Sequence, residues 1–306
     1  NSNNELLKRR LGEFMQRTLR KDVLEYVPYT NRHALTVPFT PSDKEQRLYE
    51  LISAYLQRDF SYAFPQQQRH LIAIILRKLL ASSTPAVIAT LESIRKRLQA
   101  MVDEQTLDED WLSNFITEDD LDEELLEEID IEEGETTPVD MDLLNAEIAE
   151  IDTYLELARQ IHEDEKSFAL LTAIEQGFAR MFEMGASRKA VIFTESRRTQ
   201  DYLMEFLQAN GFGGKVIAFN GTNSSTVNTS IYQKWLAKNF GSDKVTGSPA
   251  IDRRTALIDA FREDAEILIA TEAAANCHHL PKINSLCASF SILPHDTTPT
   301  GTPKPR

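Results

Sequence analysis

The sequence predicts an α/β protein in which a mostly parallel β-sheet is preceded by an α-helical region. Two observations carry this expectation. Apolar residues recur at helical spacing through the first hundred positions. Three short runs of buried-strand type, at 190–193, 215–219 and 266–270, then alternate with helical segments. Such alternation implies parallel strands joined by right-handed crossovers. The 306 residues allow about two globular units, and 42% apolar with 26% charged residues supply an ordinary core and surface.

The elements follow in order. After Pro41, Ser42 and Glu45 form a capping box, and Leu48, Leu51, Ile52, Tyr55 and Leu56 continue at helical spacing. The next apolar set, from Leu71 to Leu80, is dense enough for a helix packed on several sides. It stops at Ser82 and Ser83, where Thr84 is expected to cap a third helix with Pro85 at its first position. Val87, Ile88, Leu91, Ile94 and Leu98 give that helix its apolar face. The stretch 1–102 thus reads as a helical region.

Residues 103–140 read as an acidic linker or insertion. Between 103 and 165 lie about 26 Asp and Glu against the single Arg159, so the net charge of −15 hides flanks that are mildly basic. Residues 1–100 carry about +7, enough for a phosphate-facing patch but not for a basic tail. From Met141 to Met184 the pattern is helical again, with Leu171, Ile174, Phe178, Met181 and Phe182 on one face and Gly185 as the C-terminal cap. Residues 141–275 are therefore expected to hold this helix and the sheet. In the sheet region, helical segments are expected at 199–210, 231–240 and 253–261. The tail 276–306 has five prolines and no clear period, and only 283–293 is suited to form a strand. It is expected to be cut by protease before 189–271.

Several chemistries are set aside. No run of about 18 uncharged apolar residues predicts a membrane span, and no secretory signal pattern is present, so a cytoplasmic protein without membrane contact is expected. Gly211 to Lys215 lacks the spacing of a phosphate-binding loop and leads into a strand. Cys277, His278, His279, Cys287 and His295 are irregularly spaced for zinc, so no metal site is expected. No nucleophile elbow marks a hydrolase.

Ligands of parallel sheets sit beyond the carboxyl ends of the strands. This singles out Thr194, Glu195 and Ser196 after the first strand, Asn220 and Gly221 after the second, and Thr271 and Glu272 after the third. A helix N-terminus after Ser196 suits a phosphate, while a plain capped turn is the bland alternative.

Lys189-Ala190-Val191-Ile192-Phe193-Thr194-Glu195-Ser196, with Thr199, Tyr202 and Leu203, resembles motif IV of the second RecA-like lobe of superfamily 2 helicases. Asn220-Gly221 is similar to the turn after that lobe's next strand, and Arg253 to Phe261 with 266–274 resembles the approach to motif V. Phe14 to Val23 and Leu48-Tyr49 look like the bridge between lobes in Swi/Snf-type translocases of the bacterial RapA kind. The likeness departs after Ala275, where the Gly-x-Asn-Leu stretch of motif V is replaced, and motif VI, the Walker A loop and the Asp-Glu box are missing.

The resemblance implies an incomplete second motor lobe of an ATP-dependent DNA helicase or translocase, with RNA as the other track. Its partner is the missing first helicase lobe. ATP and magnesium belong to the complete enzyme; this chain alone is expected to need neither and to be inactive as an ATPase. Thr194, Ser196, Gly221 and Thr271 would meet the nucleic-acid backbone, and Arg17, Arg20 and Lys21 would line its path. Glu195 and Glu272 lie where they would repel phosphate. The alternative is a non-enzymatic interaction module built on the acidic and helical segments; a small-molecule α/β enzyme using the strand ends is a third.

Overall fold

The structure is a computed structural model describing residues 36–58, 60–64, 73, 83–103, 139–161 and 164–271, with the backbone of 286–289. The chain divides into two compact units, Asn1–Thr36 and Val37–Arg306. All of the first except Thr36 lies outside the described residues, as do most of the helix expected at 71–80 and the acidic stretch 104–138.

Three helices of the second unit make a core of their own. α1 (Asp43–Leu56) starts with the capping box: Glu45 N donates to Ser42 Oγ at 3.3 Å, and Ser42 N donates to Glu45 Oε2 at 2.6 Å. These bonds satisfy orphan donors that every helix start leaves open. α2 (Thr84–Val102) is capped one residue earlier than expected, by Ser83, whose Oγ accepts from Ala86 N at 3.4 Å. Thr84 becomes the first helical residue and Pro85 the second. α3 (Met141–Arg159) packs on both: its Leu144, Ile151 and Leu155 share one cluster with Leu48, Ile52 and Tyr55 of α1 and Leu91, Ile94 and Leu98 of α2. The segment grouped by sequence with the sheet thus gives its first helix to the helical core.

The single helical stretch expected from Met141 to Met184 is two helices. α3 ends at Arg159, and Asp164 caps α4 (Glu165–Glu183), accepting from Lys166 N at 3.1 Å. Gly185 ends α4 as expected, at φ +66°, with Ala186 N bonded to Met181 O at 2.8 Å and Gly185 N to Phe182 O at 3.0 Å. This is a Schellman motif, which needs a residue that tolerates the left-handed region. Phe182 does not join the buried face: it is 81% exposed, one position beyond Met181, which holds the interior slot.

The sheet has four parallel strands in the order β2, β3, β1, β4, with β1 at Ala190–Thr194, β2 at Val216–Phe219, β3 at Ile267–Thr271 and β4 at Leu286–Ser289. β4 falls inside the stretch 283–293 of the tail and pairs with β1, so β1 is not the sheet edge. Alternation sends Ala190, Ile192, Val216, Ile267 and Ile269 to one face, against α4 and α5 (Arg197–Leu207). Val191, Ile217, Phe219, Leu268 and Ala270 face the other way, against α7 (Pro249–Glu263). The result is helix, sheet, helix.

α6 (Thr226–Lys238) runs parallel to α7. Arg253 lies over the Tyr232 ring at 5.4 Å, Trp235 Nε1 donates to Asp259 Oδ2 at 3.0 Å, and Lys238 pairs with Glu263 at 2.7 Å. At the far end of α7, Lys189 Nζ donates to Phe261 O and Ala265 O at 2.7 and 2.6 Å, just before β1 starts. α5, α6 and α7 therefore all begin at the carboxyl edge of the sheet.

Candidate nucleic-acid interface

The carboxyl edge is built from three chain segments. Thr194 and Thr271 end β1 and β3 as register partners. Both are buried, at 1% and 0% exposure. Thr194 Oγ1 donates to Ser196 O at 3.3 Å. Ser196, fully buried, caps α5: its Oγ accepts from Thr199 N at 3.2 Å and lies 3.1 Å from Thr199 Oγ1. Thr199 Oγ1 in turn lies 3.1 Å from Ser83 Oγ. A chain of hydroxyls thus ties the caps of α5 and α2 together, and the three hydroxyls singled out by sequence, those of Thr194, Ser196 and Thr271, belong to buried residues.

What the edge presents outward is different. The first turn of α5 holds Arg197 and Arg198 and no acid; both are half-buried, Nη1 of Arg198 is buried, and Arg197 is coupled in charge to Asp201 one turn on. Two cations at the positive end of a helix dipole are placed unfavourably for the free helix and favourably for an anion in front of it. Gly221 is exposed, next to exposed Thr222 and Ser224 in the polar turn before α6.

Glu195 does not face the edge. Its Oε2 is buried, and its charge acts on Lys166, itself 7% exposed. Burial pulls the Lys166 ammonium down to about 8, while Asp164 and Glu195 oppose the shift. Burial, and secondly the Glu45 charge, raise Asp164. Lys166 and the N–H groups of Lys166 and Thr84 act in the other direction. The acid that sequence placed against phosphate is therefore partnered within the protein.

The turn after β2 is held by amides. Asn220 N donates to Asn223 Oδ1 at 2.9 Å, and Asn223 N donates to Asn220 Oδ1 at 2.7 Å. Asn223, at φ 51°, supplies the left-handed residue of this turn, a role asparagine tolerates. Asn228 Nδ2 fixes the start of α6 to Ala218 O at 3.0 Å. Behind the turn, fully buried Gln200 donates through Nε2 to Phe219 O at 3.0 Å and Ile269 O at 2.8 Å, and its Oε1 accepts from Asn220 Nδ2 at 2.8 Å.

The structure brings Thr194, Ser196 and Thr271 together and sets Gly221 on the loop beyond the neighbouring strand. Arg17, Arg20, Lys21 and Glu272 lie outside the described residues. Sequence reasoning missed Gln200, Asn223, Asn228 and Lys166. Gln200 had a signal: it precedes Leu203 and Leu207 on the buried face of α5, where a polar side chain needs partners.

Among the described residues no group of three or more His, Cys, Asp or Glu is placed to hold a metal ion, and no helix is long and apolar enough to cross a membrane. Among the described residues the hydroxyls and amides of the edge are bound largely to one another. Fold and edge together define a parallel α/β domain preceded by helices, with a polar, cation-bearing carboxyl edge. No protein-family model matches the chain, and no curated protein shows significant similarity to it.

Proposed function

We propose that this chain supplies part of the second motor lobe of an ATP-driven nucleic-acid helicase or translocase, with its carboxyl sheet edge against the sugar-phosphate backbone. The observation that carries the reading is the convergence of three helix N-termini on this edge, with Arg197 and Arg198 in the first turn of α5, where no acid stands, and Asp201, whose charge couples to Arg197, one turn on. The N–H groups of a helix start and the Arg197 guanidinium recognise phosphate without reading sequence. Thr194, Ser196 and Thr271 shape the edge, and Gly221 with its neighbours presents main chain to the strand. ATP and magnesium supply the driving chemistry in the whole motor, and this chain's own residues bind and orient the track.

The test is binding of a fluorescent DNA oligonucleotide, single- and double-stranded, over a range of salt. Weak binding with a steep salt slope is expected, since phosphate contacts release counterions. Arg197→Ala should weaken binding equally for unrelated sequences and reduce the slope by about 1. Binding that is insensitive to salt, or unaltered in Arg197→Ala, contradicts the reading.

A further inference from the structure

Gln200 stands between the two loops of the edge. Its main-chain N–H bonds to Ser196 O at 3.1 Å, the cap residue of α5. Its side chain reaches the other way, across the end of β2 and the middle of β3, to Asn220. Asn220 Oδ1 then receives Asn223 N at 2.7 Å and Thr222 Oγ1 at 3.3 Å, which fixes the turn that carries Gly221. Every polar hydrogen of the Gln200 amide is used, on one carbonyl at the end of β2 and one in the middle of β3. A leucine in its place would fill the volume and keep the helix. It would leave Phe219 O, Ile269 O and Asn220 Nδ2 without this partner.

We propose that Gln200 is the positioning residue of the carboxyl edge: it holds the first turn of α5 and the Asn220–Ser225 turn at one fixed separation, so that a single phosphate backbone spans both. The proposal rests on the nucleic-acid reading above. It assigns Gln200 no contact with the nucleic acid; Gln200 acts through Asn220. Binding groups held by buried, fully satisfied side chains lose less entropy when the ligand arrives, which is why such a residue matters for affinity.

The test compares wild type, Gln200→Leu and Gln200→Met. The second substitution keeps the length of the glutamine side chain and removes its amide, leaving the bonds within the Asn220–Ser225 turn intact, so it decides the matter if Gln200→Leu does not fold. Binding of a fluorescent DNA oligonucleotide is measured against salt by anisotropy, with the active fraction obtained from stoichiometric titration. Both variants should bind about tenfold more weakly, with a salt slope lower by about 1 and the active fraction unchanged. A purely structural role would lower the active fraction and leave affinity and slope as they are; that result, or wild-type binding by a folded variant, overturns the proposal. If wild type itself binds no DNA, the nucleic-acid reading falls and amide exchange decides the positioning claim. Faster exchange confined to 220–226 in the variants upholds it, and unchanged exchange there overturns it.

Discussion

At the scale of single residues, two buried charged groups carry much of the specificity of this fold. The Glu147 carboxylate, 8% exposed on α3, accepts from Tyr55 OH at 2.6 Å, Tyr62 N at 2.9 Å and Ala63 N at 3.4 Å, and also from Ser61 Oγ. It pins the loop after α1 to α3, and with burial its charge keeps the Tyr55 phenol protonated far into the alkaline range. Glu147→Ala leaves these donors unpaired and should cost about 3 kcal/mol in urea unfolding, with Glu147→Gln losing about half as much. A loss below about 0.5 kcal/mol in the alanine variant would mean that water replaces the carboxylate freely. Lys166 gives a pH dependence. Its folded value of about 8 lies below the 10.5 of the free side chain, so between those values the unfolded chain binds the extra proton and stability rises with pH. The gain should be on the order of 2 kcal/mol from pH 7.5 to 10 and should vanish in Lys166→Met; an identical pH profile for both would remove Lys166 from the account.

At the scale of elements, local rules and tertiary contacts divide the work. Gly185 is a local device: nothing lies within 4 Å of a Cβ placed there, so only the left-handed backbone opposes substitution. Gly185→Ala should therefore cost about 1 kcal/mol, and Gly185→Asn less, in thermal unfolding; equal stability of all three would mean that the helix end readjusts. The same locality made much of the fold legible in sequence. The Ser42 box, the Gly185 cap and the three strand runs are patterns of near neighbours, and they stand where sequence puts them to within a residue or two. What was not legible depends on distant partners. Ser83 takes the cap of α2 while its hydroxyl meets Thr199, 116 positions away. The break between α3 and α4 is set by Asp164, whose environment includes Glu45 and Thr84. Of the candidate site, the strand-end threonines were legible from position alone; their burial, and the service of Gln200 to two strands, appear only when the sheet is assembled.

At the scale of the whole molecule, charge is distributed against the proposed function along the chain but not in the first turn of α5. The net charge is −15, while α5 begins with two arginines and no acid. Removing residues 103–137, which carry much of the negative charge, should tighten DNA binding at low salt, and the gain should shrink as salt screens the repulsion. Unchanged or weaker binding after the deletion would mean that the acidic stretch does not oppose the track. The central claim is that nucleic acid lies across the carboxyl edge of the sheet. Amide hydrogen exchange of the full chain with and without a saturating DNA oligonucleotide at low salt tests it most directly. The account predicts slower exchange at 195–199 and 220–226 and no change at the opposite edge, around 213–215 and 264–266; protection at the opposite edge, or DNA bound with neither loop protected, would contradict it.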